Sequence, residues 1–598
     1  MKPSYRYLTE KTGLTPMTKV VLCVAAGLST LASSGLQAQQ LADQVAPEAA
    51  SQRVEHRAHQ AKDFMVAAAN PYAVEAGYQV LKEGGSAIDA MVAVQTVLGL
   101  TEPQSSGLGG GAFMLYYDAQ KQQLTTFDGR ETAPMAATPE LFQDAQGNPL
   151  TFFDAVVGGR SVGTPGTVKL MAETHRRFGK LDWARLLQPA KQLAEKGFTV
   201  SPRLAGAIAN DQERLSRYPD TRNYFFTSDG QPLPEGYRLT NMAYAETLGL
   251  LAQQGADAFY HGKIGKALVR KVQGIQDNPG LLTETDLQIY QIKERPAVCA
   301  PYRGYDVCGM GPPSSGALTV GQILGMVESF DLKSLGADNP KSWQIIGDAS
   351  RLAFADRGRY MADTDFVPMP EGLLDREYLK QRAALIQPGK ALATVNAGEP
   401  EWQQPVTLAD DISLELPSTS HLVIVDRAGN IVSMTTTIEN GFGSRVMTGG
   451  FLLNNELTDF SFASHKGGYP IANRLEPGKR PRSSMAPTLV MKDGRPYLAI
   501  GSPGGSRIIG YVASALIAHL DWGMPLQQAI SQPHRINRFG TYDLEAGTAA
   551  ETLKAPLEAM GYRVSVRDLN SGLHGVLLKE GKLIGAADPR REGVVMGD

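Results

Sequence analysis

Two runs of apolar and β-branched residues, 419–425 and 431–437, flank the turn-forming sequence Ala428-Gly429-Asn430. Such runs around a glycine-containing turn predict a β-hairpin. If the hairpin folds symmetrically about Ala428, Thr419 pairs with Thr437, because both lie equally far from the centre. Directly opposed residues have Cβ atoms about 4.5 to 5.5 Å apart, so the two hydroxyls are close enough to hydrogen-bond.

Helical patterns dominate earlier in the chain. Asn70 and Pro71 have the residue types of a helix start, and Gly84-Gly85 predicts the end of that helix. Ser86 caps a second predicted helix, which is apolar on nearly every side and is therefore expected to be buried. The predicted helices include 87–100, 168–178, 181–196, 343–361 and 507–520, and the predicted strands include 113–117, 124–128, 488–492 and 496–500.

A glycine-rich segment, 102–112, matches the loose dinucleotide-binding pattern G-x-G-x-x-A. A Rossmann site needs the order strand, loop, helix, whereas here a helix precedes the glycines and a strand follows them. We therefore expect no nucleotide site. Glycine at these positions predicts close approach of the backbone near an active site.

Composition narrows the classes of function. The chain has 598 residues, of which 20% are charged, and a formal net charge of -3. These values describe an ordinary soluble globular protein, and the length alone predicts several domains. The sequence contains no basic stripe or aromatic platform, so we expect no nucleic-acid partner. Nine histidines are scattered without an H-E-x-x-H pattern or a Cys/His cluster, so we expect no metal.

The N-terminus has the features of an export signal. Lys19 precedes an apolar run, 20–28, and Leu36-Gln37-Ala38 has the residue types of a cleavage site. This order is typical of a secretory signal that is cut after Ala38. The alternative is a membrane anchor, but the run is too short to span a bilayer. We expect an exported protein, periplasmic or secreted, without a membrane anchor.

Cysteine usage agrees with export. Once Cys23 is removed with the signal, Cys299 and Cys308 remain. They flank a predicted two-residue turn at Arg303-Gly304, which pairs position 299 with 308 across a hairpin. Cα atoms opposed in this way are about 4.5 Å apart, within the range that a disulfide tolerates. We predict a cross-strand disulfide, and the alternative is two free buried thiols.

Thr419 is the centre of the functional hypothesis. A threonine hydroxyl is a poor nucleophile unless a base lies beside it, and one solution is the threonine's own α-amine, freed by chain cleavage. For Thr419 this requires a cut between Ser418 and Thr419. His421 shares a face of the strand with Thr419 and is a rival base, for which we favour a supporting role.

Five motifs follow in order from Thr419: Thr-Ser-His-Leu-x-x-x-Asp-x-x-Gly-Asn, Thr-Thr-Thr-Ile-Glu, Leu-Leu-Asn-Asn-Glu-Leu-Thr-Asp-Phe, Lys-Arg-Pro-x-Ser-Ser-Met-x-Pro-Thr and Gly-Ser-Pro-Gly-Gly-Ser. With them the chain resembles the γ-glutamyltranspeptidases, from about Met65 to its C-terminus. The resemblance implies an α/β fold of the N-terminal-nucleophile hydrolases, an αββα four-layer sandwich built jointly by two self-cleaved subunits. The expected division is a signal at 1–38, a large subunit at 39–418 and a small subunit at 419–598.

The resemblance also implies a chemistry. Thr419 attacks the donor, which is glutathione or another γ-glutamyl compound, and becomes a γ-glutamyl ester, while Thr437 orients Thr419. Water, an amino acid or a dipeptide then resolves the ester. No cofactor is expected. The residues expected to bind the α-carboxylate and the α-ammonium group of the substrate are Arg130, Ser483, Ser484, Glu439, Glu456 and Asp459.

The sequence assigns expected roles to two further stretches. Gly504 and Gly505 precede a helix, where backbone N-H groups can meet developing negative charge, so we assign them to an oxyanion hole; the alternative is a plain tight turn. Residues 460–482 cover the place where some members of the family carry a lid, and Tyr469 is a weak candidate for a lid residue.

Two other functions stay open. A glutaryl or cephalosporin acylase shares this fold, but its substrate lacks the α-amine, so the deciding question is whether the three acidic residues bind an ammonium group. The stretches 129–134 and 441–445 are somewhat acylase-like. The second alternative is an uncleaved binding protein that has lost activity, against which the presence of both Thr419 and Thr437 argues.

Overall fold

The computed structural model describes residues 53–411, 413, 415–416 and 418–598, so the predicted signal at 1–38 lies outside the described residues. The helices of the described residues are α1 Pro71–Lys82, α2 Ala87–Thr101, α3 Phe152–Val156, α4 Thr167–Phe178, α5 Trp183–Lys196, α6 Pro202–Asn210, α7 Gln212–Leu215, α8 Pro219–Phe225, α9 Met242–Gln254, α10 Asp257–Tyr260, α11 Lys263–Gln273, α12 Glu284–Ile289, α13 Gly316–Val327, α14 Leu332–Leu335, α15 Pro340–Tyr360, α16 Arg376–Ala383, α17 Ile508–Leu520, α18 Leu526–Ser531 and α19 Lys554–Ala559. Short 3-10 helices are Glu371–Leu374, Glu456–Asp459, Gly505–Arg507 and Ala549–Leu553.

The strands of the described residues are β1 His59–Ala61, β2 Met65–Ala68, β3 Gly111–Asp118, β4 Gln123–Gly129, β5 Phe198–Thr199, β6 Arg238–Leu239, β7 Lys293–Arg295, β8 Val298–Tyr302, β9 Tyr305–Gly309, β10 Thr419–Val425, β11 Ile431–Thr437, β12 Met447–Thr448, β13 Phe451–Leu452, β14 His465–Lys466, β15 Tyr469–Pro470, β16 Thr488–Lys492, β17 Arg495–Gly501, β18 Arg535–Asn537, β19 Thr541–Glu545, β20 Arg563–Arg567, β21 His574–Lys579, β22 Lys582–Ala587 and β23 Val594–Gly597.

Two seven-stranded antiparallel sheets form the centre of the fold. The first has the order β23-β2-β10-β11-β3-β4-β7, and the second has the order β1-β22-β21-β17-β16-β9-β8. The sheets stack face to face, and helices cover both outer faces, with α1, α2 and α4 on the first sheet and α13 and α17 on the second, while α5 packs on α2 and α15 packs on α13. The predicted αββα four-layer sandwich is therefore confirmed.

The predicted hairpin lies in the middle of the first sheet. Thr419 pairs with Thr437, as the symmetry about Ala428 predicts, and the ladder continues to the pair Val425 and Ile431. Strand β10 is flanked by β2, and β11 by β3, so the hairpin is enclosed on both edges. All residues of β10 and β11 are buried, which explains the near-continuous apolar and β-branched sequence.

Strands from before and after Ser418 alternate within both sheets. In the first sheet β10 and β11 lie between β2 and β3, and in the second sheet the four strands β16, β17, β21 and β22 lie between β9 and β1. A cut between Ser418 and Thr419 would therefore leave two chains that share both sheets and the core between them. Length alone favours several separate domains, but the family resemblance implies one interlocked unit, and the strand order agrees with such a unit.

Helix boundaries differ from the sequence predictions by a few residues where capping decides them. Helix α15 begins earlier than predicted, because the Asn339 side chain accepts a hydrogen bond from the Lys341 N-H and Pro340 takes the first helical position. The helix predicted to begin at 507 starts at Ile508, because the preceding residues form a 3-10 turn. The Asn70 and Ser86 caps are present as predicted.

The β8-β9 hairpin carries the disulfide. Arg303 and Gly304 both have positive φ, at 51° and 82°, as a tight two-residue hairpin turn requires. Cys299 therefore pairs with Cys308, and the two are joined by a disulfide with Cα atoms 4.0 Å apart. Within the described residues, no helix is both long enough and apolar enough to cross a membrane.

Replacing Cys299 and Cys308 together by alanine is expected to lower the free energy of unfolding by about 2 to 3 kcal/mol, because the cross-link restricts the unfolded chain. Denaturant titration of wild type and variant without reductant measures this difference. Reductant should bring the wild type to the stability of the variant and leave the variant unchanged; equal stabilities without reductant would contradict the disulfide.

Candidate active site

A cavity at the end of the β10-β11 hairpin brings most of the predicted site residues together. Its volume is only about 20 Å³, which is room for roughly one water molecule. The residues that line it are Arg130, Glu415, Leu416, Thr419, Thr437, Glu439, Glu456, Asp459, Ser483, Ser484, Met485, Gly505 and Ile508. The disulfide, on β8 and β9, does not belong to this group.

Thr437 contacts the peptide bond that was predicted to be cut. Its Oγ1 donates a hydrogen bond of 2.8 Å to the carbonyl oxygen of Ser418 and accepts one of 2.8 Å from the Glu439 N-H. The sequence predicted that Thr437 orients Thr419 through its hydroxyl, but in the uncut chain the single hydroxyl proton is directed to the Ser418 carbonyl. The Ser418 carbonyl oxygen is thus the acceptor of the Thr437 hydroxyl, where the prediction had placed the Thr419 hydroxyl.

The backbone on either side of this bond is held by long-range contacts. The Ser418 hydroxyl donates to the Gln104 carbonyl at 2.6 Å, and Arg591 Nη1 donates to the Thr419 carbonyl at 3.1 Å. Gln104 belongs to the glycine-rich segment that was predicted to approach the active site. Gly110 in that segment has no room for a side chain, since a Cβ would lie 2.0 Å from the Thr437 carbonyl oxygen.

His421 does not face the Thr419 hydroxyl. Its Nδ1 lies 2.9 Å from Thr435 Oγ1, directly across the hairpin, and its ring packs against Gly501 of the second sheet. Burial holds the pKa of His421 well below its usual value. A buried imidazole paired with another threonine fits a structural role between the sheets.

Gly504 and Gly505 lie at the mouth of helix α17. Both have positive φ, at 138° and 58°, which favours glycine. Gly505 lines the cavity, whereas Gly504 lies behind it against the Tyr511 ring. Among the described residues, neither N-H has a hydrogen-bond acceptor.

Arg130 is fully buried at the end of β4 and is already in contact with two of the predicted ammonium-binding residues. It forms ion pairs with Glu456 and with Asp459, the latter at 2.5 Å. Its Nε and Nη2 also donate to the carbonyls of Pro481 and Arg482, at 3.2 and 2.8 Å. Opposite charges pair in this way because a buried charge without a partner is costly.

The acidic residues outnumber the guanidinium that they surround. Burial raises the pKa of Glu439, Glu456 and Asp459 well above the usual carboxyl value, and Arg130 opposes this shift. Glu131, which the sequence analysis did not single out, is a fourth buried carboxyl, and burial raises its pKa to about 8. One oxygen each of Glu456 and Asp459 has no hydrogen-bond partner among the described residues. This cluster therefore has unused capacity to bind a cation.

The segment before Thr419 forms part of the cavity wall. Glu415 and Leu416 line the cavity, and the Leu416 N-H lies 3.4 Å from Glu439 Oε1. The Glu415 carboxylate accepts a hydrogen bond of 2.5 Å from Ser484 Oγ and pairs with Arg357 of α15. Neither Glu415 nor Arg357 has a local sequence pattern that predicts this contact.

Ser483 and the 460–482 segment have smaller parts in the geometry. The Ser483 hydroxyl accepts from the Met485 N-H at 3.1 Å, and its carbonyl accepts from Ser315. The segment forms the short β14-β15 hairpin, in which Tyr469 is 52% exposed and does not line the cavity. No group of His, Cys, Asp and Glu side chains among the described residues is arranged to hold a metal ion.

Comparisons with known proteins identify the family. The family model for gamma-glutamyltranspeptidase matches residues 73–598. The chain is 39% identical to the glutathione hydrolase proenzyme of Bacillus subtilis strain 168, with 90% of this chain and 92% of that protein covered. It is 37% identical to the glutathione hydrolase proenzyme of Escherichia coli K12, with 89% and 91% covered.

Among solved structures, a cephalosporin acylase from Bacillus halodurans superposes with a TM-score of 0.79, at 26% identity and with 91% of this chain and 97% of that chain covered. The shared fold thus includes both γ-glutamyl and acylase enzymes, while the family model extends over most of the chain. With the paired threonines, the buried acids and the glycine turn in one cavity, the chain belongs to the gamma-glutamyltranspeptidase family.

Proposed function

We propose that the chain is an autoprocessing γ-glutamyltransferase and glutathione hydrolase, exported to the periplasm or the medium. It cuts itself between Ser418 and Thr419, and Thr419 then transfers γ-glutamyl groups from glutathione and similar donors to water, amino acids or dipeptides. The observation that carries the proposal is the cavity in which Thr419 and Thr437 adjoin a buried cluster with more carboxyl groups than guanidinium groups.

Self-cleavage would begin with attack of Thr419 Oγ1 on the Ser418 carbonyl carbon. The peptide C-N bond breaks as an ester forms, which frees the Thr419 α-amine, and water then hydrolyses the ester to release the Ser418 carboxylate and the Thr419 hydroxyl. The Thr437 hydroxyl, 2.8 Å from the Ser418 carbonyl oxygen, is placed to stabilise the negative charge that develops on that oxygen. The Glu439 N-H fixes the direction of this hydroxyl.

In the cut enzyme the new α-amine of Thr419 is the proposed base. Its reference pKa is about 7.7 to 8.0, so a fraction is neutral near neutral pH and accepts the hydroxyl proton as Thr419 attacks a γ-glutamyl amide. The free N-H groups of Gly504 and Gly505 are proposed to bind the resulting oxyanion. Water or an acceptor amine then attacks the ester and takes the γ-glutamyl group, which restores the Thr419 hydroxyl.

The acid cluster supports a γ-glutamyl over a glutaryl substrate. A γ-glutamyl group carries an α-ammonium that can pair with the unpartnered oxygens of Glu456 and Asp459, whereas a glutaryl group places an uncharged methylene there. A buried surplus of carboxyl groups is costly without a cation. An acylase specific for glutaryl amides would leave that surplus unrelieved. Arg130, Ser483 and Ser484 remain the proposed partners of the α-carboxylate.

Thr437→Val is expected to slow self-cleavage by roughly 100-fold to 1000-fold, because it removes one donor to the developing oxyanion at nearly constant volume. Intact mass spectrometry of freshly purified protein over time measures the uncut fraction. Thr436→Val, which removes the neighbouring hydroxyl that contacts Gly111, is the matched control and should mature normally. Equal rates of maturation in the two variants would refute the role of Thr437.

Asp459→Asn is expected to reduce kcat/KM for a γ-glutamyl anilide by roughly 10-fold to 100-fold, because it removes one charge-assisted hydrogen bond to the ammonium group. The same variant should change kcat/KM for a glutaryl anilide far less. Asp493→Asn, in the exposed turn between β16 and β17, is the control and should leave both values unchanged. A wild-type enzyme that prefers the glutaryl anilide would favour the acylase function.

The KM for a γ-glutamyl anilide is expected to rise as the pH falls. Because burial raises the pKa values of Glu456 and Asp459, acidification protonates them at a higher pH than an exposed carboxyl and removes the charge that holds the ammonium. The KM for a glutaryl anilide should not follow this trend. Steady-state kinetics of both substrates across the pH range measure the ratio, and a pH-independent ratio would contradict ammonium binding by these carboxylates.

A further inference from the structure

Glu415, four positions before the expected nucleophile, is held in the cavity as a bound carboxylate would be. It accepts a hydrogen bond from Ser484 Oγ at 2.5 Å, pairs with Arg357 and lies 3.8 Å from Arg482 Nε. Its side chain is 5% exposed. A serine hydroxyl and a guanidinium thus form a built anion site that the uncut chain fills from within.

The contacts of Arg357 hold its guanidinium at this site. It is buried on helix α15, where its Nε donates to Ser315 Oγ at 2.8 Å and its Nη2 donates to Ser484 Oγ at 2.8 Å. The neighbouring Arg482 is paired separately with Asp411 at 2.7 Å. Burial and the charge of Arg482 lower the pKa of Arg357, so the guanidinium depends on an anion beside it.

No substrate can reach Thr419 while Glu415 and Leu416 remain in place. The cavity of about 20 Å³ is far smaller than the several hundred Å³ typical of a small-molecule site. Once the chain is cut after Ser418, this segment must withdraw before a γ-glutamyl group can enter. Its departure removes the carboxylate partner of Arg357 and leaves a buried guanidinium that needs another anion.

Arg130 alone is poorly supplied with free donors for a substrate carboxylate. A guanidinium has five N-H groups, and four hydrogen bonds already join Arg130 to Glu456, Asp459 and the carbonyls of Pro481 and Arg482. At most one N-H remains, which is too few for a bidentate grip on a carboxylate. A second cation is therefore needed on the Ser484 side of the cavity.

We propose that Arg357 joins Ser484 in the donor carboxylate site, and that processing exchanges the Glu415 carboxylate for the α-carboxylate of the γ-glutamyl donor. This inference depends on the proposed function. Glu456 and Asp459 bind the α-ammonium group, and Ser484 and Arg357 bind the carboxylate. Glu456, Asp459 and Ser484 all line the same cavity. Glu415 is then an internal placeholder for substrate.

The test compares two anilides that differ only in the carboxylate: a γ-glutamyl anilide and a 4-aminobutanoyl anilide, which keeps the amine. Arg357→Lys keeps a charge beside Glu415 but loses the planar fork. It is expected to raise KM for the γ-glutamyl anilide by roughly 10-fold to 100-fold, with kcat little changed, and to leave kcat/KM for the 4-aminobutanoyl anilide unaltered. Equal losses on both substrates, or no loss on the first, would overturn the proposal.

Arg359→Lys is the matched control. Arg359 lies on the same helix and also pairs with a carboxylate of the segment before Thr419, Asp410 at 2.7 Å, but it is half-buried at the surface, and its partner is Asp410 rather than the cavity-lining Ser484 and Glu415. The control variant should keep wild-type KM on both substrates. A wild-type enzyme without activity on the γ-glutamyl anilide would be a failure of the proposed function, not of the carboxylate site.

A structure of the cut wild-type enzyme with L-glutamate gives the answer even where Arg357→Lys fails to mature. The expected α-carboxylate lies within about 3 Å of Ser484 Oγ and a terminal nitrogen of Arg357. A carboxylate bound by Arg130 without Arg357, or Glu415 still seated on Arg357 beside bound glutamate, would refute the exchange.

Discussion

The register of one hairpin determines the rest of the site. Because Thr419 and Thr437 are opposed at the end of β10 and β11, the peptide bond before Thr419 lies against the Thr437 hydroxyl. The hairpin is enclosed by β2 and β3 and fully buried, so this geometry cannot slip without moving an entire apolar face to the wrong side. The buried sheet thus holds the Ser418 carbonyl against the Thr437 hydroxyl, at the place where the proposed self-cleavage occurs.

Charge balance is the second constraint, and the chain before Thr419 takes part in it. Glu415 neutralises Arg357 and Asp411 neutralises Arg482, while Arg130 is neutralised by acids that follow Thr419. In the uncut chain each of these arginines therefore has a carboxylate partner, whereas Glu456 and Asp459 each keep one oxygen without a hydrogen-bond partner among the described residues. Cleavage would create the catalytic amine at Thr419 and would leave the Arg357 guanidinium without its Glu415 partner. Arg357 could then pair with the carboxylate of an amino-acid group whose ammonium pairs with Glu456 and Asp459.

Local spacing was sufficient to predict the parts of this site that neighbours in sequence define. The Thr419 and Thr437 pair and the Cys299 and Cys308 pair both follow from a turn and a period of two. The ordered motifs predicted the fold and which residues line the cavity. The direction of the Thr437 hydroxyl could not be predicted this way, because it depends on whether the Ser418 peptide bond is intact.

Contacts between distant segments account for what the sequence analysis missed. Arg130 and Glu456 are 326 positions apart, and Arg357 and Glu415 are 58 apart, so neither pairing has a local signature. Glu131 follows Arg130 directly, but its burial depends on the packing of β3 and β4 rather than on its neighbours in the chain. Buried charge networks of this kind are determined by the assembled fold.

The most direct test of the account is to trap the acyl-enzyme. Purified protein is mixed with a γ-glutamyl anilide, quenched in acid within the first turnover and digested for peptide mass mapping. The account predicts a γ-glutamyl group on Thr419 as the N-terminal residue of a small subunit, 419–598. An acyl group on any other residue, or on a chain that still continues from Ser418 into Thr419, would contradict it.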